Sequence, residues 1–229
     1  MTPQTDQQIN LKITPLFANL FAETVLTGVD NDAILDYCLR QPMEHPGRQF
    51  SNHGGWQSED FFKPPAQLET LCEKIQQAVD ETAKHLGIHD SHKLGVGNFW
   101  INVNYPGSLN MSHIHSKSDV SGCYYVNVPD NSGSIVFNNP IQVHSWCFSS
   151  SMIKTKNTFN SSDYSRMPAA GSLFLFPSWL MHSVSPNKSN QPRVSIAFNA
   201  AFFKVRSKIC CIRLRLVCGY SRQAVGRES

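Results

Sequence analysis

The 229-residue sequence predicts an α+β fold whose core is an antiparallel sandwich or jelly roll, with helices packed against it. Two observations carry this. One strongly periodic helix lies before residue 87, and from Val96 onward the texture changes to eight short strand-like segments separated by Gly, Pro, Asn and Ser. The length fits a single domain with peripheral elements better than two domains.

Taken in order, the chain opens with an apolar lead, LKITPLFANLF. From Asn31 to Arg40, Ile34, Tyr37 and Cys38 recur at helical spacing behind an Asn that can cap them, which predicts a short helix. Residues 41–63 are rich in Gly, Pro, Ser, Asn and His. They contain the run SNHGGWQS, which has neither helical nor strand period and reads as an ordered loop, with Trp56 as a packing anchor. Pro64 and Pro65 suit a helical first turn. Leu68, Leu71, Cys72, Ile75, Val79, Ala83 and Leu86 then mark a stripe of about six turns that ends at Gly87 and backs a sheet. The strand candidates are NFWINVN, the stretch holding His113 and His115, GCYYVNV, SIVFN, HSWCF, SLFLF, the region around His182, and RVSIAFNAAFF.

Composition narrows the class. Hydrophobic residues make up 41% and charged residues 16%, a globular balance, and no stretch approaches the roughly 20 apolar residues of a membrane span. The segment MTPQTDQQIN has neither a basic nor an apolar region of the kind a secretory signal carries, so a cytoplasmic setting is expected. The seven cysteines show no CxxC pairing and read as reduced thiols; clustered ligands for a structural zinc are lacking. Net charge is +3, but from Lys204 onward seven Lys and Arg stand against one Glu. The body is therefore mildly acidic and gives no general pull toward nucleic acid, while residues 204–229 form a basic tail, appended or disordered. The expected organisation is a catalytic unit over 1–203, with a β core from about 95 to 203, followed by that tail. The seven cations of the tail would suit nucleic acid or an anionic membrane surface, and oligomeric state is not legible.

The chemistry concentrates in three histidines and an arginine. His113 and His115 are alternate residues, so on a strand they offer two imidazoles to one ion; His182 from a distant strand would supply the third. An incomplete protein ligand set leaves positions for substrate and dioxygen, as a mononuclear non-heme Fe(II) oxygenase requires. Arg193 would anchor the distal carboxylate of 2-oxoglutarate through a bidentate guanidinium, and Ser195, on the same strand face, would add a hydrogen bond. Asn102, Asn104 and Tyr105, on the strand before the metal pair, are candidates to line the same cavity. The remaining histidines read as surface or satisfied core residues.

These residues resemble the pattern of the 2-oxoglutarate and Fe(II)-dependent oxygenase superfamily: a strand-borne HxD, a distal His, and about ten residues later an Arg followed by x-Ser. More narrowly, SNHGGWQS, FWINVNYPGSLNMSHIHSKSDVSGCYYVNVP, GSIVFNNP, PSWLMHSVSP and RVSIAFN look like a group of oxygenases common in marine bacteria and their phages, over roughly Phe17 to Phe203. The resemblance implies a double-stranded β-helix, Fe(II) and 2-oxoglutarate as cofactors, and a dioxygenase that hydroxylates a substrate with release of succinate and CO2. Tyr125 resembles the superfamily tyrosine that hydrogen-bonds 2-oxoglutarate. His115 departs from the pattern, standing where the family has a carboxylate ligand; Asp119 is the alternative, although its four-residue step from His115 breaks strand register without a bulge. Two rival readings keep the same residues: a cupin-like dioxygenase that uses no 2-oxo acid, with Arg193 binding a substrate carboxylate, and a non-catalytic jelly-roll binding module.

Overall fold

The computed structural model describes residues 10–141 and 149–205. The HSWCF segment and the tail from Arg206 lie outside the described residues, as do four of the seven cysteines. Among those described, Cys38, Cys72 and Cys123 are free thiols, and no helix is long and apolar enough to cross a membrane.

Two helices precede most of the strands. Helix α1 (Asn31–Glu44) runs one turn beyond the expected end and passes through Pro42. Its cap is Asp30, whose carboxylate accepts from the Ala33 amide at 3.1 Å, rather than Asn31. Asn31 instead accepts from the buried Tyr124 hydroxyl at 2.6 Å and ties the helix to the sheet behind it. A single 3-10 turn at Ala66–Leu68 leads into α2 (Glu69–His85), 17 residues or about five turns rather than six. Its stripe buries Leu71, Cys72, Ile75 and Val79, and burying each of the three aliphatic side chains contributes about 1.5–3 kcal/mol. Gln76 fixes the register against the sheet, donating to the Leu94 carbonyl at 3.0 Å and accepting from the Val96 amide at 2.9 Å.

Eleven strands are described: β1 (Ala22–Val25), β2 (Asn52–His53), β3 (Trp56–Gln57), β4 (His92–Asn104), β5 (Leu109–His113), β6 (Val120–Asn127), β7 (Ile135–Asn138), β8 (Asp163–Arg166), β9 (Ser172–Pro177), β10 (His182–Val184) and β11 (Arg193–Lys204). They form two antiparallel sheets, ordered β1-β9-β6-β11-β4-β3 and β2-β5-β10-β7-β8. This is the expected jelly roll. β1 and β8, four residues each, and the two-residue β2 and β3 went unseen in the sequence because such short pieces carry no period of two. β2 and β3 lie inside the segment expected to be a loop. There the chain crosses from the small sheet to the large one through Gly54, held at a φ of 71° that suits glycine. Asn52 braces the crossing by donating to the carbonyls of Arg48 and Gly55, and Trp56 is the expected anchor, buried, with its indole N–H on the His45 carbonyl at 3.0 Å.

The core has two parts. The larger lies between the helices and the outer face of the six-stranded sheet, and includes Ile34, Leu68, Leu71, Ile75, Val103, Tyr124, Leu173 and Ile196. The smaller lies between the sheets and is aromatic: Tyr125, Phe137, Phe174 and Phe176 with Ile135 and Leu180. It fills only part of the space between the sheets. The remainder is a cavity of about 760 Å³.

Candidate metal and cofactor site

The cavity takes its wall from strand alternation. On β11, Arg193, Ser195, Ala197 and Asn199 face it; on β4, Asn98, Trp100, Asn102 and Asn104 face it. The two strands pair antiparallel, so these residues stand opposite one another as Arg193–Asn104, Ser195–Asn102, Ala197–Trp100 and Asn199–Asn98. β6 brings Tyr125 opposite Ser195 from the other side.

His113, His115 and His182 meet in the same cavity, His113 and His182 coming from the five-stranded sheet. One ring nitrogen of each lies within 4.8 Å of the others, and the ring centroids are 4.3–5.1 Å apart. His182 opens β10 directly across from His113, the last residue of β5. His115 is not on the strand, contrary to the alternation argument. It lies past the strand end, where its amide donates to the Ser178 carbonyl at 2.9 Å and turns the ring back toward the other two. Asp119, the alternative ligand, points elsewhere: its carboxylate accepts from the Phe202 amide at 2.8 Å and does not line the cavity.

The protonation chemistry of the three rings suits a metal. Burial, chiefly, lowers the pKa of His182 to about 3 and of His115 to about 4, and lowers that of His113, so all three are neutral near pH 7. Each Nδ1 faces an oxygen: His113 the Met111 carbonyl at 2.7 Å, His182 the Leu180 carbonyl at 2.8 Å, and His115 the Asn199 side-chain oxygen at 2.7 Å. Carbonyl oxygens only accept, so the proton sits on Nδ1 and the Nε2 lone pairs are left for a cation. Three neutral imidazoles with oriented outer nitrogens are the donor set a divalent transition metal takes.

Arg193 fits an anionic co-substrate. It is 1% exposed, and its guanidinium donates to the carbonyls of Ser132 and Gly133 at 2.5 and 3.3 Å. Among the described residues no carboxylate pairs with it, and burial lowers its pKa. A buried cation answered only by neutral carbonyls is expensive, and an incoming carboxylate would relieve that cost. Ser195, Tyr125 and Asn102 share its end of the cavity, and the Asn102 side-chain oxygen is buried without a hydrogen-bond partner. Asn104 lines the wall as well, but its amide is used in bracing Asn110 at 3.1 Å. Tyr105 is the exception: it is 39% exposed beyond the end of β4 and does not line the cavity, because the strand leaves the sheet before reaching it.

Several lining residues were missed in the sequence. Asn199 was findable, being in phase with Arg193 and Ser195 on one strand. Arg48, Phe50 and Ser51 were not, because they come from the irregular segment before β2. Arg48 there is held in an ion pair with Asp60 and sits over the Phe50 ring at 4.8 Å.

Residues 98–199, which carry the three histidines, Arg193, Ser195, Tyr125, Asn102 and Asn199, match the family model described as "Putative 2OG-Fe(II) oxygenase". Over that span the chain is similar to the 2-oxoglutarate and Fe(II)-dependent oxygenases, whose cofactors are Fe(II) and 2-oxoglutarate. Solved structures give the same fold. A Pseudomonas putida prolyl-4-hydroxylase is 16% identical with a TM-score of 0.53, covering 80% of this chain and 93% of its own. The prolyl hydroxylase from Trichoplax adhaerens, solved with a hypoxia inducible factor oxygen degradation domain peptide fragment, is 16% identical with a TM-score of 0.55, covering 80% and 84%. The carbocyclase SnoK from nogalamycin biosynthesis, non-heme and alpha ketoglutarate dependent, is 11% identical with a TM-score of 0.58, covering 80% and 79%. No curated protein matches the chain.

Proposed function

We propose that His113, His115 and His182 hold Fe(II) in this oxygenase and that Arg193, with Ser195, Tyr125 and Asn102, receives the distal carboxylate of 2-oxoglutarate. The observation that carries the assignment is the pairing of three neutral, Nδ1-oriented imidazoles with a buried guanidinium that has no carboxylate partner among the described residues, both lining one cavity. The bound metal and 2-oxoglutarate supply the activation of dioxygen, so that substrate C–H, 2-oxoglutarate and O2 become substrate C–OH, succinate and CO2. The protein's own residues bind and orient. Arg193 and Ser195 fix one end of the co-substrate, Tyr125 offers its hydroxyl beside them, and the aromatic packing of Phe137 and Phe176 around His182 excludes water behind the ring.

The cavity extends past the histidines to Arg48, Phe50, Met111 and Ile114 at its mouth, and this half is the space assigned to the substrate. A cytoplasmic setting and a kinship with marine bacterial and phage oxygenases belong to the same reading. The free thiols of Cys38 and Cys72, raised by burial to about 12, suit a reducing compartment. Titration of anaerobic protein with Fe(II) and 2-oxoglutarate should give the weak visible charge-transfer band of the chelate. Under air, succinate should form stoichiometrically with product across a panel of peptides, nucleobases and small molecules. A folded, iron-loaded protein that shows no such band contradicts the assignment. Oxygen uptake without succinate would instead make Arg193 an anchor for a substrate carboxylate.

A further inference from the structure

The three histidines are oriented by two different means. His113 and His182 each donate Nδ1–H to the main-chain carbonyl two residues earlier, Met111 and Leu180, so their orientation comes with the backbone. His115 is held by a side chain 84 residues away, the Asn199 amide oxygen at 2.7 Å. That oxygen also accepts from the Ser121 hydroxyl at 2.7 Å, and Ser121 lies 2.8 Å from the Ser178 hydroxyl, with both serines fully buried. Ser178 in turn receives the His115 main-chain amide on its carbonyl, so the network closes on the residue it orients.

An amide has two faces, and only one is compatible with a metal at His115. With its oxygen toward the ring, the proton stays on Nδ1 and the Nε2 lone pair faces the other two imidazoles. With its nitrogen toward the ring, Nδ1 becomes the acceptor, the proton moves to Nε2, and the third ligand is lost. In the first arrangement the same oxygen also accepts from the Ser121 hydroxyl, whose Oγ lies 3.1 Å from the His115 Nδ1 as well and is backed by Ser178.

We infer that Asn199 is a positioning residue: through the Ser178–Ser121 chain it locks His115 in the Nδ1–H tautomer, making a histidine serviceable at the ligand position where the wider family pattern places a carboxylate. The inference builds on the proposed metal site, but it makes a claim about the metal-free protein that can be read separately.

The experiment compares wild type, Asn199→Asp and Asn199→Leu by nitrogen-15 correlation spectra of the histidine rings in metal-free protein, and by Zn(II) affinity. Wild type and Asn199→Asp should show His115 protonated on Nδ1, since a carboxylate still accepts. Asn199→Leu should show a mixture of tautomers at His115 alone and bind Zn(II) about 10–100-fold more weakly, with Asn199→Asp equal to or tighter than wild type. An unchanged His115 tautomer in Asn199→Leu overturns the inference. So does an Nε2–H signal from His115 in wild type, a measurement that stands even if the leucine variant does not fold. A wild-type protein that keeps the Nδ1–H tautomer but binds neither Zn(II) nor Fe(II) would sink the metal assignment and leave the positioning role standing.

Discussion

Arg193 and His182 line one cavity from different sheets, and on the proposed assignment their work is separable, so single substitutions should part them. His182→Ala removes one of three ligands and should abolish stoichiometric Fe(II) binding in equilibrium dialysis. Arg193→Ala should keep the metal and weaken 2-oxoglutarate, measured by titrating the charge-transfer band, by about 2 kcal/mol or more, the loss expected when one partner of a buried charged pair is truncated. Equal effects of both variants on metal and co-substrate would contradict the division. The depressed histidine pKa values carry a pH prediction whose sign is fixed. Above the unfolded value near 6.5 the rings are neutral in both states; below it the unfolded chain takes up protons that the folded protein resists until pH 4 for His115 and pH 3 for His182. Stability of the metal-free protein should therefore fall as pH drops from about 6.5 toward 4. Thermal melts should show the fall, and it should be shallower in His182→Gln.

At the scale of elements, the turn before β7 is as much part of the site as the strands. Gly133 has a φ of 93°, and its carbonyl with that of Ser132 receives the Arg193 guanidinium. A Cβ there would collide with the carbonyls of Ser185 and Pro186. Gly133→Ala should destabilise the fold by about 1–3 kcal/mol through this strain, and should weaken 2-oxoglutarate more than Fe(II), since of the side chains assigned to the two ligands Arg193 is the one this turn holds by hydrogen bonds. A calorimetric comparison of the two ligands checks this. The elements also show what a sequence can carry. α2 was visible because its stripe repeats over many turns, and β6, β9 and β11 because their apolar runs are long enough to stand out. β2 and β3 were not, because two residues have no period and their pairing is decided by Asn52 and Gly54 holding the crossing between sheets. His115 was identified for a reason the structure replaces: it reaches the cluster from a turn, through Ser178, rather than by alternation on β5.

Across the whole molecule, the helices cover the outer face of the six-stranded sheet and leave the space between the sheets to the site. Helix packing and catalysis are accordingly separable: Ile75→Ala on α2 removes fully buried volume at a cost of about 2–5 kcal/mol, while the cavity wall is formed on the opposite side of β4. The catalytic unit is proposed to need nothing from the basic tail. Val205 still donates to the Ser91 carbonyl at 2.7 Å, so the cut that tests this falls after Val205. That truncation should leave Fe(II) and 2-oxoglutarate binding unchanged, since every residue assigned to the site precedes the cut. Lost binding in a folded truncation would give the tail a role in the site.

By itself the sequence determined the membership of the candidate site: the residue types and their spacing point to the three histidines, Arg193 and the jelly roll that carries them, because ligand chemistry and strand alternation are local properties. Only the tertiary structure decided which candidates converge. It set Tyr105 outside the cavity, turned Asp119 to a backbone amide, and brought Asn199 from the last strand to the back of His115. The reason is physical: hydrogen bonds between residues some eighty positions apart, and the strand ends that permit them, depend on how two sheets stack, and no local pattern in the chain encodes that distance.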